Sequence, residues 1–203
     1  IISSVNAITP GSTGTYQTLA NLPQTFYGQG TVSYNGYIFN SGGAGGSVLS
    51  TVYSAKVNAD GTIGSWASLN TLPQAIYDHS MSTYGGYLFV TGGFTGSAGV
   101  STVYSAKILN DGTIGTWNTL NTLPARLSAL ASTAYNGYLY VLGGHNGSAA
   151  VSTVYVAQIN GNGTIGSWST LTSALPALIY NHAVLSTNGF IFSAGGYNGA
   201  TVS

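Results

Sequence analysis

Residues 101–151 read STVYSAKILNDGTIGTWNTLNTLPARLSALASTAYNGYLYVLGGHNGSAAV, and this stretch recurs along the chain. Closely similar copies begin at Ser50 and at Ser152, and a more divergent copy opens the chain with Tyr16 in the place of a tryptophan. The tryptophans of the three similar copies are 51 residues apart: Trp66, Trp117 and Trp168. Four copies in 203 residues mean that the repeat decides the fold. A period near 50 residues is typical of propeller-like arrays.

Each copy is predicted to hold four antiparallel strands and no helix. Residues 101–108 alternate between two faces and include β-branched and aromatic members, as a half-buried strand does. Residues 138–142 are nearly all apolar, which is typical of a strand buried on both faces. Turns rich in Asn, Asp and Gly separate these segments. Within the copy quoted above, the predicted strands are 101–108, 113–120, 127–135 and 138–142.

The composition narrows the possible functions. Charged residues make up 3% of the chain, against roughly 25% in ordinary soluble domains. Only three residues are Lys or Arg, which argues against nucleic-acid binding, because neutralising phosphates needs many cations. The absence of Cys excludes disulfides and thiolate metal sites. No apolar run reaches the length of a transmembrane helix, so we expect no membrane insertion.

Three features of each copy resemble kelch repeats. An apolar run ends in a diglycine, a tyrosine-bearing strand follows, and the tryptophan and a Leu-Pro pair come next. The apolar runs with their diglycines are 37–43, 87–93, 138–144 and 190–196. The resemblance covers all 203 residues and implies an all-β, kelch-type β-propeller of four-stranded antiparallel blades. In such blades the strand before the diglycine strand is innermost, and the tryptophan strand is outermost.

Fold alone leaves the function of such a protein open. Kelch repeats are similar to the repeats in the central domain of galactose oxidase. The family includes copper radical oxidases, a sialic acid mutarotase and many binding proteins. A copper radical oxidase of this kind needs a Cys–Tyr cross-link, which a chain without Cys cannot form. The resemblance therefore implies a propeller, and the absence of Cys excludes copper radical oxidase chemistry of this kind.

The phase of the repeat predicts a half-blade at each end of one continuous array over residues 1–203. Residues 1–49 hold the first half-blade and the start of the next blade, and repeats follow at 50–100, 101–151 and 152–203. Because the chain begins with Ile1, we interpret it as a processed or excised piece. Three arrangements stay open: a four-bladed ring, half-blades shared between identical copies in a ring or filament, and further blades outside this stretch. In the first two, residues 1–8 are predicted to pair with residues 190–196.

Polar side chains recur at the start of the predicted innermost strands, where the kelch resemblance places them near one mouth of a central channel. They form a candidate ligand-binding pocket: Gln29, Asp78, His79, Asn181 and His182, with Arg126 nearby. In the alternative interpretation, the histidines bond to an adjacent blade and are structural. The other two carboxylates, Asp60 and Asp111, fall in hairpin turns. We therefore predict no catalytic residue, no metal site and no cofactor.

The loops after the diglycines carry a variable residue, which is Ala44, Phe94, His145 or Tyr197. Aromatic members of this set could stack on sugar rings or pack between blades, and His145 is expected to be an ordinary loop residue. Two sequons, at Asn146 and Asn162, fall in predicted turns and are candidate N-glycosylation sites.

These observations favour an extracellular or cell-surface protein that is not an enzyme. A surface of Ser, Thr, Asn, Gly and Tyr suits a structural or adhesive building block, which would contact identical copies through its end half-blades. The first alternative is a carbohydrate-binding propeller that contacts glycans at one mouth. The least favoured is a sugar-modifying enzyme resembling the kelch mutarotase.

Overall fold

The structure is a computed structural model that describes residues 6–7 and 17–199, with side chains from Thr18 onward. Its described part consists of strands and turns, and contains no helix that could cross a membrane. The first eight strands are β1 (Asn6–Ala7), β2 (Gln17–Thr18), β3 (Gly30–Tyr34), β4 (Tyr37–Ser41), β5 (Val52–Lys56), β6 (Ala67–Ser68), β7 (Ser80–Tyr84) and β8 (Tyr87–Thr91). The next eight are β9 (Val103–Lys107), β10 (Asn118–Thr119), β11 (Ala131–Tyr135), β12 (Tyr138–Leu142), β13 (Val154–Gln158), β14 (Ser169–Thr170), β15 (Ala183–Thr187) and β16 (Phe190–Ala194).

Three complete blades follow one another along the chain. They are β3–β6, β7–β10 and β11–β14, each a four-stranded antiparallel sheet in sequence order from the innermost strand outward. A two-residue turn joins the first two strands of each blade, and in the first blade its residues Asn35 and Gly36 both have positive φ. Asn-Gly suits this turn because both residues tolerate that conformation. The four-stranded antiparallel blades predicted from the repeat are confirmed.

A half-blade lies on each side of the three blades. β1 pairs with β2, and β15 pairs with β16, so the first supplies outer strands and the last supplies inner strands. Within the described part of the chain, β16 has β15 as its only strand partner. The predicted pairing of residues 1–8 with residues 190–196 falls mostly on residues outside the described ranges, and it stays a prediction.

Three of the four strands predicted in the quoted copy are shorter in the structure, and the first of them is β9, Val103–Lys107, rather than residues 101–108. The outermost strand of the second blade is only β10, not residues 113–120, because residues 109–113 form a hairpin loop closed by the bridge between Ile108 and Ile114. The innermost strand of the third blade begins at Ala131 rather than at residue 127. Ala129 has a φ of 51° and interrupts the extended backbone there. Strand β12 has the predicted bounds.

The core lies between blades rather than inside one. At the first junction, Phe39 and Val52 of the first blade pack against Leu88, Val90 and Tyr104 of the second. We call the face that a blade turns toward the next blade its leading face, and the opposite face its trailing face. The second junction repeats the arrangement with the following residues: Phe89, Val103, Leu139, Val141 and Tyr155. Each blade is therefore stabilised by apolar area that its neighbours bury.

A polar clamp joins the outer parts of successive blades. The indole Nε1 of Trp117 donates to the carbonyl of Asn70 at 3.0 Å, and the Asn70 amide donates to the carbonyls of Ile114 and Gly115 at 3.2 Å. Trp168 and Asn121 repeat this clamp at the next junction. The three tryptophans are half-buried at the edges of the blades.

The described blades form an open arc. β7 lies beside β3 and β11, and β11 lies beside β15, but the described residues show no comparable packing of β3 against β15. The leading face of β15–β16 exposes Leu185, Phe190 and Phe192, whose exposed fractions are 56%, 67% and 49%. The equivalent of Phe192 in each of the first two blades, Phe39 or Phe89, is fully buried. Within the described part of the chain, no next blade covers this face.

Candidate functional site

A chain of backbone hydrogen bonds runs around one mouth of the arc, just before each innermost strand. The amide of Asp78 donates to the carbonyl of Gly28 at 2.7 Å, that of Ala129 donates to Asp78 at 2.7 Å, and that of Asn181 donates to Ala129 at 2.8 Å. We call these four residues the mouth belt. All four have left-handed backbones, with φ between 51° and 65°. The amides of the last three members thus bond the preceding blade instead of their own strand.

Ala129 is the member of the mouth belt least suited to it. A left-handed backbone costs an L-residue about 1–2 kcal/mol, and the larger entropy that Gly loses on folding takes back about 0.5–1 kcal/mol. We therefore expect Ala129→Gly to raise the free energy of unfolding by about 0.5–1 kcal/mol in urea titrations. The control Ala106→Gly, in strand β9, should lower it by about 1 kcal/mol. A loss of stability in Ala129→Gly would contradict the role assigned to this backbone.

The candidate pocket lies directly beneath the mouth belt. Its cavity of about 180 Å³ is lined by residues of all four innermost segments: Gly28, Gln29, Asp78, His79, Ala129, Leu130, Asn181 and His182. A second cavity of about 290 Å³, lined partly by Thr31, Met81 and Ser132, lies further along the inner strands. The structure thus brings together five of the six residues predicted for this site. Arg126 is exposed and does not line either cavity.

Asp78 and Asn181 give the pocket its polar rim. Asp78 is half-buried, and burial raises the pKa of its carboxyl group. A Cβ atom on Gly28 would lie 2.5 Å from Asp78 Oδ1, so only glycine leaves room for this carboxylate to lie over the preceding blade. Asn181 is exposed. The rim therefore offers one carboxylate and one amide toward solvent.

His79 is a wedge between the first two blades, and it does not reach into the pocket as a free base. It is 6% exposed, and its Nε2 lies 2.9 Å from the hydroxyl of Ser41 in the first blade. That hydroxyl also lies 2.9 Å from Met81 Sδ. A proton on Nε2 satisfies both contacts, because Ser41 can then accept from the imidazole and donate to the sulfur. Burial lowers the pKa of His79 to about 4.

The ring of His79 also explains the first glycine of the diglycine before it. Gly42 has a φ of 58°, and a Cβ atom there would meet the Ile76 carbonyl and lie 2.7 Å from His79 Cε1. In the third blade Leu130 takes the place of His79 and packs against Gly92 in the same way. An apolar residue can therefore fill this wedge, which supports the structural interpretation of the histidine.

His182 occupies the same position at the last junction, with a poorer set of partners. It is 8% exposed, and neither ring nitrogen has a hydrogen-bond partner among the described residues. The position of Ser41 is taken there by Leu142, which offers no hydroxyl group. Burial lowers the pKa of His182. Both histidines are thus held neutral between blades at neutral pH.

The turn carboxylates have the local role that was predicted. Asp60 Oδ1 accepts from the hydroxyl of Thr62 at 2.6 Å and from its amide at 3.0 Å, and Asp111 repeats both bonds with Thr113. The hydroxyl bond is the main cause of the lowered pKa of each carboxyl group. These carboxylates serve their own turns, and Asp60 and Asp111 do not line either mouth cavity.

The two sequon asparagines are exposed in turns. Asn146 Oδ1 accepts from the amides of Ser148 and Ala149, and Asn162 Oδ1 accepts from the amide and hydroxyl of Thr164. His145 is a half-buried loop residue, and its ring lies edge-to-face against Tyr180 at 5.4 Å. Among the described residues, no group of three or more His, Asp or Glu side chains could hold a metal ion. Glycosylation of either asparagine stays a prediction.

The sequence did not indicate the mouth belt. Gly28, Asp78 and Asn181 are residue types that tolerate positive φ, so three members carried a weak signal. Ala129 gave no such signal, because alanine disfavours positive φ. Aligning the four copies on their Leu-Pro pairs could have revealed the common position, since three of four residues there are Gly, Asp or Asn.

Known proteins with this architecture match the chain in two ways. The family described as Kelch motif matches residues 126–156, which cover β11, β12 and the start of β13. A solved structure entitled "Structure of YjhT" superimposes with a TM-score of 0.76 and 15% sequence identity, covering 96% of this chain and 72% of that one. No curated protein matches the sequence. Together with the four-stranded blades, these matches show one kelch motif, at residues 126–156, and a kelch-type β-propeller fold.

Proposed function

We propose that this propeller is a structural or adhesive building block outside the cell, which assembles by covering the leading face of β15–β16 with a second copy. The observation that carries the proposal is the exposure of Leu185, Phe190 and Phe192 on that face. Clusters of this kind mark interaction sites when they are rimmed by polar residues. Two earlier junctions in the same chain show what covers such a face, namely the trailing face of another blade.

The first blade offers a matching surface. Ile38 of this blade and Leu22, in the segment before β3, are half-buried, whereas their equivalents one repeat later, Leu88 and Leu72, are 0% and 3% exposed. A head-to-tail contact would therefore complete, between two chains, the same junction that the array makes within one chain. Such heterologous contacts generate closed rings or filaments, depending on the rotation between copies.

Two further observations support binding rather than catalysis, and an extracellular setting. His79 has a pKa lowered to about 4 and lies buried between two blades, so it is poorly placed to exchange protons with a substrate. The chain has only three acidic side chains and three lysine or arginine side chains. A surface of neutral polar residues with exposed sequon asparagines is compatible with secretion and glycosylation.

Sedimentation velocity of the 203-residue protein tests the proposal. We expect association that grows from low to high micromolar concentration, and we expect the double variant Phe190→Ser, Phe192→Ser to sediment as a monomer. The matched control is Leu109→Asn, because Leu109 is 42% exposed on an outer hairpin where the other two similar copies carry asparagine. A wild-type protein that stays monomeric throughout, or a control that dissociates equally, would refute self-association through this face.

Carbohydrate binding at the mouth is the second candidate. It is favoured by the carboxylate of Asp78 and the amides of Gln29 and Asn181 around one cavity, since such groups bond sugar hydroxyls in both directions. Screening on a glycan array, followed by Asn181→Ala, would test it, and loss of a measured sugar affinity in that variant would support it. Anomer exchange of a sugar catalysed by the protein, followed by NMR, would instead favour a sugar-modifying enzyme.

A further inference from the structure

Aromatic rings line the loops above the mouth belt and contact one another across the repeats. In each blade the residue before the mouth belt forms a bridge with the residue after the diglycine. The pairs are Tyr27 with Ala44, Tyr77 with Phe94, Ser128 with His145, and Tyr180 with Tyr197. Tyr77 and Phe94 meet edge-to-face with ring centres 5.6 Å apart, and Tyr180 and Tyr197 do so at 5.3 Å.

A ring after the diglycine can also contact the next blade. His145 of the third blade lies edge-to-face on Tyr180 of the last half-blade, with 5.4 Å between ring centres. The position after the diglycine is therefore a place where one ring fills the space between two neighbouring loops. Phe94, His145 and Tyr197 place a ring at this position in three of the four copies, and His145 is the one that contacts a ring of the next blade among the described residues.

The first blade lacks this ring, because the residue there is Ala44. A cavity of about 300 Å³ occupies the place, and we call it the Ala44 slot. It is lined by Tyr27, Ala44, Gly45, Gly46, Ser47, Val48, Tyr77 and Gly96. Tyr27, at its edge, is 53% exposed, whereas the equivalent Tyr77 and Tyr180 are half-buried. Tyr77 of the next blade meets Tyr27 edge-to-face with ring centres 5.8 Å apart, so Tyr27 has this one aromatic neighbour and lacks a ring at position 44.

The lining of the Ala44 slot carries no charge, and its side chains are two tyrosines, one alanine, one valine and one serine beside three glycines. The backbone amides of Tyr27 and Ala44 bond each other's carbonyls at 3.0 and 2.9 Å, and that of Gly45 bonds the Ser47 carbonyl. The remaining side-chain polar groups are the hydroxyls of Ser47 and of the two tyrosines. A pyranose in this space would bury several hydroxyl groups with few partners, which is unfavourable. An aromatic ring needs only the edges and faces that the tyrosines offer.

We propose that the Ala44 slot binds an aromatic side chain, Phe or Tyr, of a partner polypeptide, in the edge-to-face geometry that Phe94 has on Tyr77. The occupant follows from the chain itself, since the same position holds an aromatic ring in the other copies. The inference does not rest on the proposed self-association, because the slot lies between the first two blades and uses none of the residues of β15–β16.

Methyl NMR of the whole 203-residue protein, labelled at Ala and Val methyl groups, tests the proposal with N-acetyl-phenylalaninamide and N-acetyl-tyrosinamide as probes. We expect saturable ring-current shifts at the methyl groups of Ala44 and Val48. Ala44→Phe fills the slot from within, and Tyr27→Leu removes the exposed ring. Each should weaken probe binding by about tenfold or more, read at Val48. Ser148→Phe, which adds a ring to an exposed loop of the third blade, should leave binding unchanged.

Three results would overturn the proposal. The first is the absence of shifts at Ala44 and Val48 up to the solubility of both probes. The second is a methyl glycoside that shifts these methyl groups at lower concentration, which would assign the slot to a sugar. The third is unchanged probe binding in Ala44→Phe. Should that variant fail to fold, unchanged binding in Tyr27→Leu would overturn it equally.

Discussion

Lowering the pH from 7 to 4 is expected to destabilise the protein by about 3 kcal/mol through His79 alone, because the folded state holds this imidazole neutral with a pKa of about 4. Above the unfolded pKa of 6.5, His79 is neutral in both states and makes no pH-dependent contribution. As the pH falls below 6.5, the unfolded state takes up a proton that the folded state refuses. Stability is therefore lost between pH 6.5 and pH 4.

Other groups modify this pH dependence without reversing it. Burial lowers the pKa of His182, which adds to the loss in the same window. Burial raises the pKa of Asp78, so this carboxyl group takes up a proton more readily in the folded state than in the unfolded state. Near pH 4 this offsets part of the loss of stability caused by the histidines. Asp60 and Asp111 have lowered pKa values. Their carboxylates are protonated, and the folded state loses their stabilising contribution, only at still lower pH.

Urea unfolding of His79→Leu at pH 7, 5.5 and 4 measures the contribution of this histidine. The variant should fold, because Leu130 occupies the same position in the third blade. Between pH 7 and pH 4, its free energy of unfolding should decrease by about 3 kcal/mol less than that of the wild type. Leu130→His is the converse variant and should steepen the acid loss. Parallel curves for the wild type and His79→Leu would mean that His79 has the same pKa in the folded and unfolded states.

Repetition made most of the fold predictable. The diglycines, the two-residue turns and the alternation of residues 101–108 each recur, so a weak local signal became a strong one. The predicted half-blades also follow from the phase of the repeat, and β15 and β16 end the described array with inner strands. The features that recur in sequence were predictable, because equivalent residues of successive copies pack in the same way at each junction.

The details that distinguish the copies could not be predicted in the same way. The place of His79 depends on Ser41, Gly42 and Met81, which lie in two different blades, and no local pattern links them. The residues of the pocket were found because polar side chains recur there, yet their orientation is set by backbone turns at positions such as Ala129. The Ala44 slot results from a missing ring, and a missing side chain leaves no pattern.

Phe89→Ala is expected to cost about 3–5 kcal/mol of unfolding free energy, whereas Phe192→Ala should cost less than about 1 kcal/mol in the isolated chain. The two residues occupy the same place in the repeat, but Phe89 is fully buried at the second junction and Phe192 is 49% exposed. Removing Phe89 leaves a cavity between two blades. Removing Phe192 mainly reduces apolar surface that already contacts water.

Urea unfolding at low and high protein concentration turns this pair into a test of the open arc. At low concentration only Phe89→Ala should be strongly destabilised. At high concentration the cost of Phe192→Ala should rise if a second copy covers the leading face of β15–β16, because association then stabilises the folded state. A cost for Phe192→Ala that equals that of Phe89→Ala even in dilute solution would have a different meaning. It would show that the same chain already covers this face, which would exclude the open arc.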